Sequence, residues 1–177
     1  HSLHKTLPSL TQTGLIHVNG RRVDPDEVER QLAIFQSSSP SYPLMASIDV
    51  CIRWMEEKGH ERSHAHMQRL LAFDRSIVGL ERLWSPGHTS HAGDGRPASP
   101  DPPFFGLDPG KIYFCCRNAA WEGRPLTGEG LARLLREEYR IEPEMAQPGG
   151  LLAMTSLCDG EDALPRLSDA VRDIDRR

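Results

Sequence analysis

Between Ser85 and Pro109 the chain carries proline and glycine so densely that no regular helix or strand can run through it. That composition buries little, so the stretch, with His88 and His91 in it, reads as a linker or exposed insertion. A chain of 177 residues is long enough for one sizeable core, but an interruption there separates a helical region from a shorter α/β region.

Ahead of the interruption, residues 14–18 form an apolar run closed by Asn19-Gly20, the pattern of a short strand and turn, with His17 packed or at the surface. Asp24-Pro25-Asp26-Glu27 is a helix start: an aspartate to cap, a proline at the first position and a glutamate three residues on. Val28, Leu32 and Phe35 then make a buried stripe to about residue 36. Ser37 to Pro43, with four serines and two prolines, is a constrained loop rich in hydroxyls. A helix is expected from Leu44 to Lys58, with Met45, Ile48, Ile52 and Met55 in the core and Gly59 as its stop. A further helix over 63–84 would turn Met67, Leu70, Leu71, Ile77, Leu80 and Leu83 inward.

After the interruption a strand over 111–116 leads to a helix capped by Thr127, with Leu131, Leu134 and Leu135 inward. Strands follow over 142–146 and 151–156, the second continuously apolar and therefore the more buried. A last helix over 162–174 places Leu164, Leu167, Val171 and Ile174 on one face and tolerates Pro165 only in its first turn.

The net charge of −4 offers no basic surface for nucleic acid. No apolar run reaches the length of a membrane span, and no signal peptide is visible. Cys51, Cys115, Cys116 and Cys158 show no zinc-ribbon spacing, and reduced thiols in a cytoplasmic protein are expected.

The chemistry concentrates at the front, in Ser2-Leu3-His4-Lys5-Thr6-Leu7-Pro8. A lysine amine becomes a nucleophile when partly desolvated, and the neighbouring Ser2 and His4 can bind an anion such as phosphate. Most lysines are solvated surface charges, so the residue types alone leave this as one reading beside a structural one.

The run Ser2 to Gln12 closely resembles the pyridoxal-phosphate attachment site of the ornithine/lysine/arginine decarboxylase family. The resemblance continues through Ser37 to Asp49, then Asp108 to Lys111, and Ile141 to Ala146, in the family's order. It implies a pyridoxal-phosphate-dependent decarboxylase of fold type I acting on lysine, ornithine or arginine. By the same resemblance Lys5 would carry the cofactor as a Schiff base, and Ser2 and His4 would hold its phosphate. The loop with Ser39, Ser41 and Tyr42 would reach the substrate or the partner's site across a homodimer or larger homo-oligomer. The implied fold class is α/β. Residues 1–58 would end the large cofactor domain, 59–107 would be a linking helix and insertion, and 108–177 a small α/β domain. Family members carry most of that large domain ahead of the lysine, and this chain begins with His1. It is therefore expected to be a partial sequence, inactive in isolation because much of the cofactor pocket lies elsewhere. Two other readings stand beside this one: another lysine-dependent enzyme such as an aminotransferase, and a non-catalytic dimerisation module.

A competing motif is His60-Glu61-Arg62-Ser63-His64, the H-E-x-x-H pattern in which two imidazoles a turn apart hold zinc. His66, His88 or His91 would be the third ligand. The segment is polar and follows Gly59, unlike the buried helix such enzymes use, so the expectation is a solvated helix start and no metal.

Overall fold

The computed structural model describes residues 1–85, 108–116 and 118–177. The proline-rich stretch, with His88 and His91, lies almost wholly outside the described residues. The chain divides into two compact units, His1–Glu61 and Arg62–Arg177.

The first unit holds helix α1 (Leu3–Thr6), helix α2 (Pro25–Phe35) and the first part of helix α3 (Tyr42–Ser76). α2 starts as its sequence dictates: the Asp24 carboxylate accepts the Asp26 N–H at 3.1 Å, and Pro25 sits at the first position. Its stripe is not buried, however. Val28 is half-exposed, and Leu32 and Phe35 face solvent, because nothing else in this unit packs on them. The same holds at the start of α3, where Met45 and Ile52 are exposed and Cys51 takes the one fully buried position.

Two further expectations for this unit need correction. Residues 14–18 form no strand; pairing is confined to a bridge between Ser2 and Gly14. Beside that bridge the Thr13 carbonyl accepts the Leu3 N–H at 3.1 Å and the His1 carbonyl accepts the Leu15 N–H at 2.8 Å, and from Leu3 the chain turns into α1. Gly59 does not end a helix, and the two helices expected around it are one continuous α3 that starts at Tyr42. A glycine stops a helix by turning left-handed, and Gly59 keeps a negative φ. Met55 lies over it, so that a Cβ there would sit 2.9 Å from the Met55 Cε. The glycine that turns the chain is Gly79, with φ of 86°, just past Ser76.

The second unit is a two-layer α/β structure. Strands β1 (Lys111–Cys115), β4 (Met145–Gln147) and β5 (Gly150–Met154) form an antiparallel sheet in the order β1-β5-β4. Between β1 and the sheet's return lie a small hairpin, β2 (Ala120–Trp121) and β3 (Arg124–Pro125), and helix α4 (Gly128–Tyr139); helix α5 (Ala163–Arg176) closes the chain. The hairpin has no counterpart in the expected elements. Its two-residue turn is Glu122-Gly123, both at positive φ, the geometry that matches strand twist.

Register explains the core. Ile112 lies opposite Ala153 and Phe114 opposite Leu151, so four apolar side chains leave the same face of the sheet. Leu131, Leu134 and Leu135 of α4, and Leu164, Leu167, Val171 and Ile174 of α5, bury themselves in the same cluster. The last turns of α3 and the segment behind it add Leu70, Phe73, Ile77, Leu80 and Leu83, whereas Met67 and Leu71 stay exposed. Each such fully buried side chain contributes about 1.5–3 kcal/mol.

Two polar devices fix the elements of this unit. The Thr127 hydroxyl caps α4 by accepting the Gly130 N–H at 3.1 Å. Gly128 beside it lies so close to the β4–β5 turn that a Cβ would fall 1.9 Å from the Gly150 carbonyl oxygen. The buried Asp175 carboxylate of α5 accepts three successive backbone N–H groups, Glu81 at 2.8 Å, Arg82 at 2.8 Å and Leu83 at 2.7 Å.

Candidate functional site

α1 is a single turn that puts consecutive side chains in different surroundings. Leu3 is buried and anchors it, His4 is half-buried, and Ser2 and Lys5 are exposed. Ser2 occupies the cap position yet makes no side-chain capping bond, which leaves its hydroxyl uncommitted to the helix. The His4 ring is fixed: its Nδ1 lies 2.9 Å from the Thr13 carbonyl oxygen. A carbonyl oxygen only accepts, so the proton is on Nδ1, and the neutral ring keeps its lone pair at Nε2. The structure thus brings Ser2, His4 and Lys5 together on one short turn. Chemically that turn offers an amine able to condense with an aldehyde, and a hydroxyl and an imidazole able to hold an anion.

Ser39, Ser41 and Tyr42 stand apart, as an exposed group where α3 begins. The Ser37 hydroxyl accepts the Ser39 N–H at 3.1 Å, a turn bond within the loop. The Ser41 carbonyl accepts the Met45 N–H at 3.0 Å, which opens the helix, and the Tyr42 side chain is 78% exposed.

The His60, Glu61 and His64 side chains are exposed on α3, within a helix rather than at its start. Among the described residues no group of three or more His, Cys, Asp or Glu side chains is arranged to hold a metal. His66 differs from its neighbours in being buried, with Nε2 3.1 Å from the Thr155 hydroxyl and Nδ1 without a partner. Its pKa is lowered, first by burial and then by Arg69, against opposing pulls from Asp159 and Asp108. The four cysteines are free thiols, and burial pushes Cys116 up to about 12, which leaves it inert.

The reading of residue types missed Thr13. It is buried, and its carbonyl accepts both the His4 ring and the Leu3 N–H. Its side chain meets Ser9, which in turn meets Ser47 of α3. The available hint was spacing: a hydroxyl at Ser9 and another four residues later.

With that geometry in view, the chain belongs to the Orn/Lys/Arg decarboxylase family: the family model described as "Orn/Lys/Arg decarboxylase, major domain" matches residues 1–162. An arginine decarboxylase of Bacillus anthracis is 27% identical over 173 residues, covering 98% of this chain and 32% of that protein. The constitutive lysine decarboxylase of Escherichia coli is 25% identical over 179 residues, covering 88% of this chain and 25% of that protein. Among solved structures, a lysine decarboxylase of Francisella novicida gives a TM-score of 0.74 at 20% identity, over 98% of this chain and 27% of that one. That last likeness speaks for the α/β fold. The chain spans about a third of the length of the arginine decarboxylase it matches.

Proposed function

We propose that this chain serves pyridoxal-phosphate-dependent decarboxylation of a basic amino acid (lysine, ornithine or arginine), with Lys5 as the residue that carries the cofactor. The observation that carries this reading is the Ser2–Lys5 turn, where Lys5 stands beside an uncommitted hydroxyl and a ring of fixed orientation. The donor set fits the group. Lys5 Nζ suits its aldehyde, and the Ser2 hydroxyl and the His4 imidazole suit its phosphate.

When bound, the cofactor supplies the electron sink for the pair left as CO2 departs. The residues of the Ser2–Lys5 turn would hold it. Lys5 would hold the group through Nζ. Ser2 donates its hydroxyl proton to the phosphate. His4, with Nδ1 already committed to Thr13, would reach the anion only through Nε2. The relatives' names, arginine and lysine decarboxylase, support the substrate class.

Companion readings follow from the same assignment. Residues 1–58 are the end of a large cofactor domain, 59–107 a link and 108–177 a small domain. Ser39, Ser41 and Tyr42 face a substrate or the second subunit of a homodimer or larger homo-oligomer, and their exposure leaves them available for it. The setting is cytoplasmic, in keeping with four free thiols. Release of CO2 from lysine, ornithine and arginine tests the function. The full-length protein, loaded with pyridoxal phosphate, should turn over at least one of them, and Lys5→Ala should remove that turnover. Turnover retained by Lys5→Ala would refute the assignment.

A further inference from the structure

We propose that Thr13 is a positioning residue for the lysine turn, tying it to α3 through a directed chain of hydroxyls; its meaning for catalysis rests on the reading of Lys5 above. Thr13 is 3% exposed and works from both ends. Its carbonyl takes the Leu3 N–H at 3.1 Å and the His4 Nδ1–H at 2.9 Å, which sets both the path of the turn and the ring's tautomer. Its hydroxyl lies 2.7 Å from the Ser9 oxygen and 2.8 Å from the Leu10 carbonyl oxygen.

The direction of the chain follows from counting protons. Ser9 and Ser47 oxygens are 3.1 Å apart, and the Ser47 hydroxyl lies 2.8 Å from the Leu44 carbonyl oxygen. Each hydroxyl has one proton. The Ser47 proton goes to the Leu44 carbonyl and the Ser9 proton to Ser47, while the single Thr13 proton is shared between the Ser9 oxygen and the Leu10 carbonyl. The Leu10 N–H adds a second donor to the Ser47 oxygen at 3.3 Å. The turn that presents Lys5 is therefore referenced to the first turns of α3, which begin at Tyr42 directly after Ser41. A single turn of four residues has almost no helical stability of its own. Such a turn takes its orientation from what it is tied to. Removing the Thr13 hydroxyl opens the loop over 9–13, and the carbonyl that holds His4 moves with it.

The test is nitrogen NMR of the full chain labelled with 15N-histidine, at a pH where histidine is neutral, with His4→Gln to identify the signal. His4 should be in the Nδ1–H form in the parent chain and in Thr13→Ser, which restores the hydroxyl. In Thr13→Val it should shift toward the Nε2–H form that prevails in free imidazoles. Ser47→Ala, a milder change at the far end of the chain of bonds, should shift it the same way by less, and it keeps the test alive if Thr13→Val fails to fold. In the cofactor-loaded full-length protein the same order should appear in kcat, with KM for the amino acid little changed. An Nε2–H His4 in the parent chain, or identical spectra for Thr13→Val and Thr13→Ser, would overturn the proposal. If His4 responds as stated while the cofactor is found on Lys58 or Lys111, the assignment of Lys5 fails and the positioning of the turn stands.

Discussion

The two units of this chain hold their large apolar side chains in opposite ways. Among the described residues, Arg62–Arg177 encloses a cluster of twenty buried residues, from Leu70 to Ile174. In His1–Glu61 the buried apolar side chains are Leu3 and Cys51, while Ile34, Phe35, Met45 and Val50 face solvent. The helices of both units are amphipathic, so the difference lies in what each stripe meets, not in how each helix forms. The candidate site sits in the unit with almost no core. Its geometry is set by hydrogen bonds of Thr13, Ser9 and Ser47, where the second unit adds a packed core to its polar ties.

Point substitutions can break this contrast. Phe114 has no exposed surface, and Phe114→Ala should destabilise the second unit by about 3–5 kcal/mol in denaturant melts. A loss under about 1 kcal/mol would mean that the core is not packed as described. Asp175→Ala leaves three N–H groups without their acceptor, and should cost about 2–4 kcal/mol in the same melts. Asp175→Asn, which keeps one acceptor, should cost less.

Acid sharpens the contrast in another way. His66 titrates lower in the folded state than its ordinary 6.5, so the unfolded chain takes up its proton first as pH falls. The contribution of His66 to stability is then constant above about pH 7.5 and declines below about 6.5, down to its folded pKa. Arg69, Asp159 and Asp108 are the charges that act on it. Melts at pH 7.5 and 5.5 should show the second unit weakening at the lower value, and His66→Gln should flatten that part of the slope. The smallest effect belongs to the first unit. Phe35 is 85% exposed, and Phe35→Ala should change the stability of this chain by no more than about 0.5 kcal/mol. A loss like that of Phe114→Ala would erase the distinction between the units.

The second unit was the more legible from sequence, and for a physical reason. Apolar periods of two and of 3.6 predict which side chains face a core, and here the chain itself supplies that core, so Leu131, Leu135, Leu151, Val171 and Ile174 are all buried. In the first unit the same periods found α2 and α3 but not the fate of their stripes, since Leu32 and Phe35 meet nothing in their unit. Gly59 misled because a glycine marks a helix end only when its φ turns positive, and residue type does not say whether it will. The hairpin at Glu122-Gly123 was missed because strands of two residues have no period to detect. At the site, the wording of residues 2–12 singled out Ser2, His4 and Lys5. Thr13 acts largely through its carbonyl oxygen, which every residue has, and no residue type marks that.

The central claim is that Lys5, in the less self-contained unit, is the reactive amine. Within these 177 residues the other lysines are Lys58 and Lys111. Borohydride reduction of the full-length protein loaded with pyridoxal phosphate, followed by peptide mapping, locates the attached group directly. The account predicts a pyridoxyl group on Lys5, and a pyridoxyl group on any other lysine with Lys5 unmodified would contradict it.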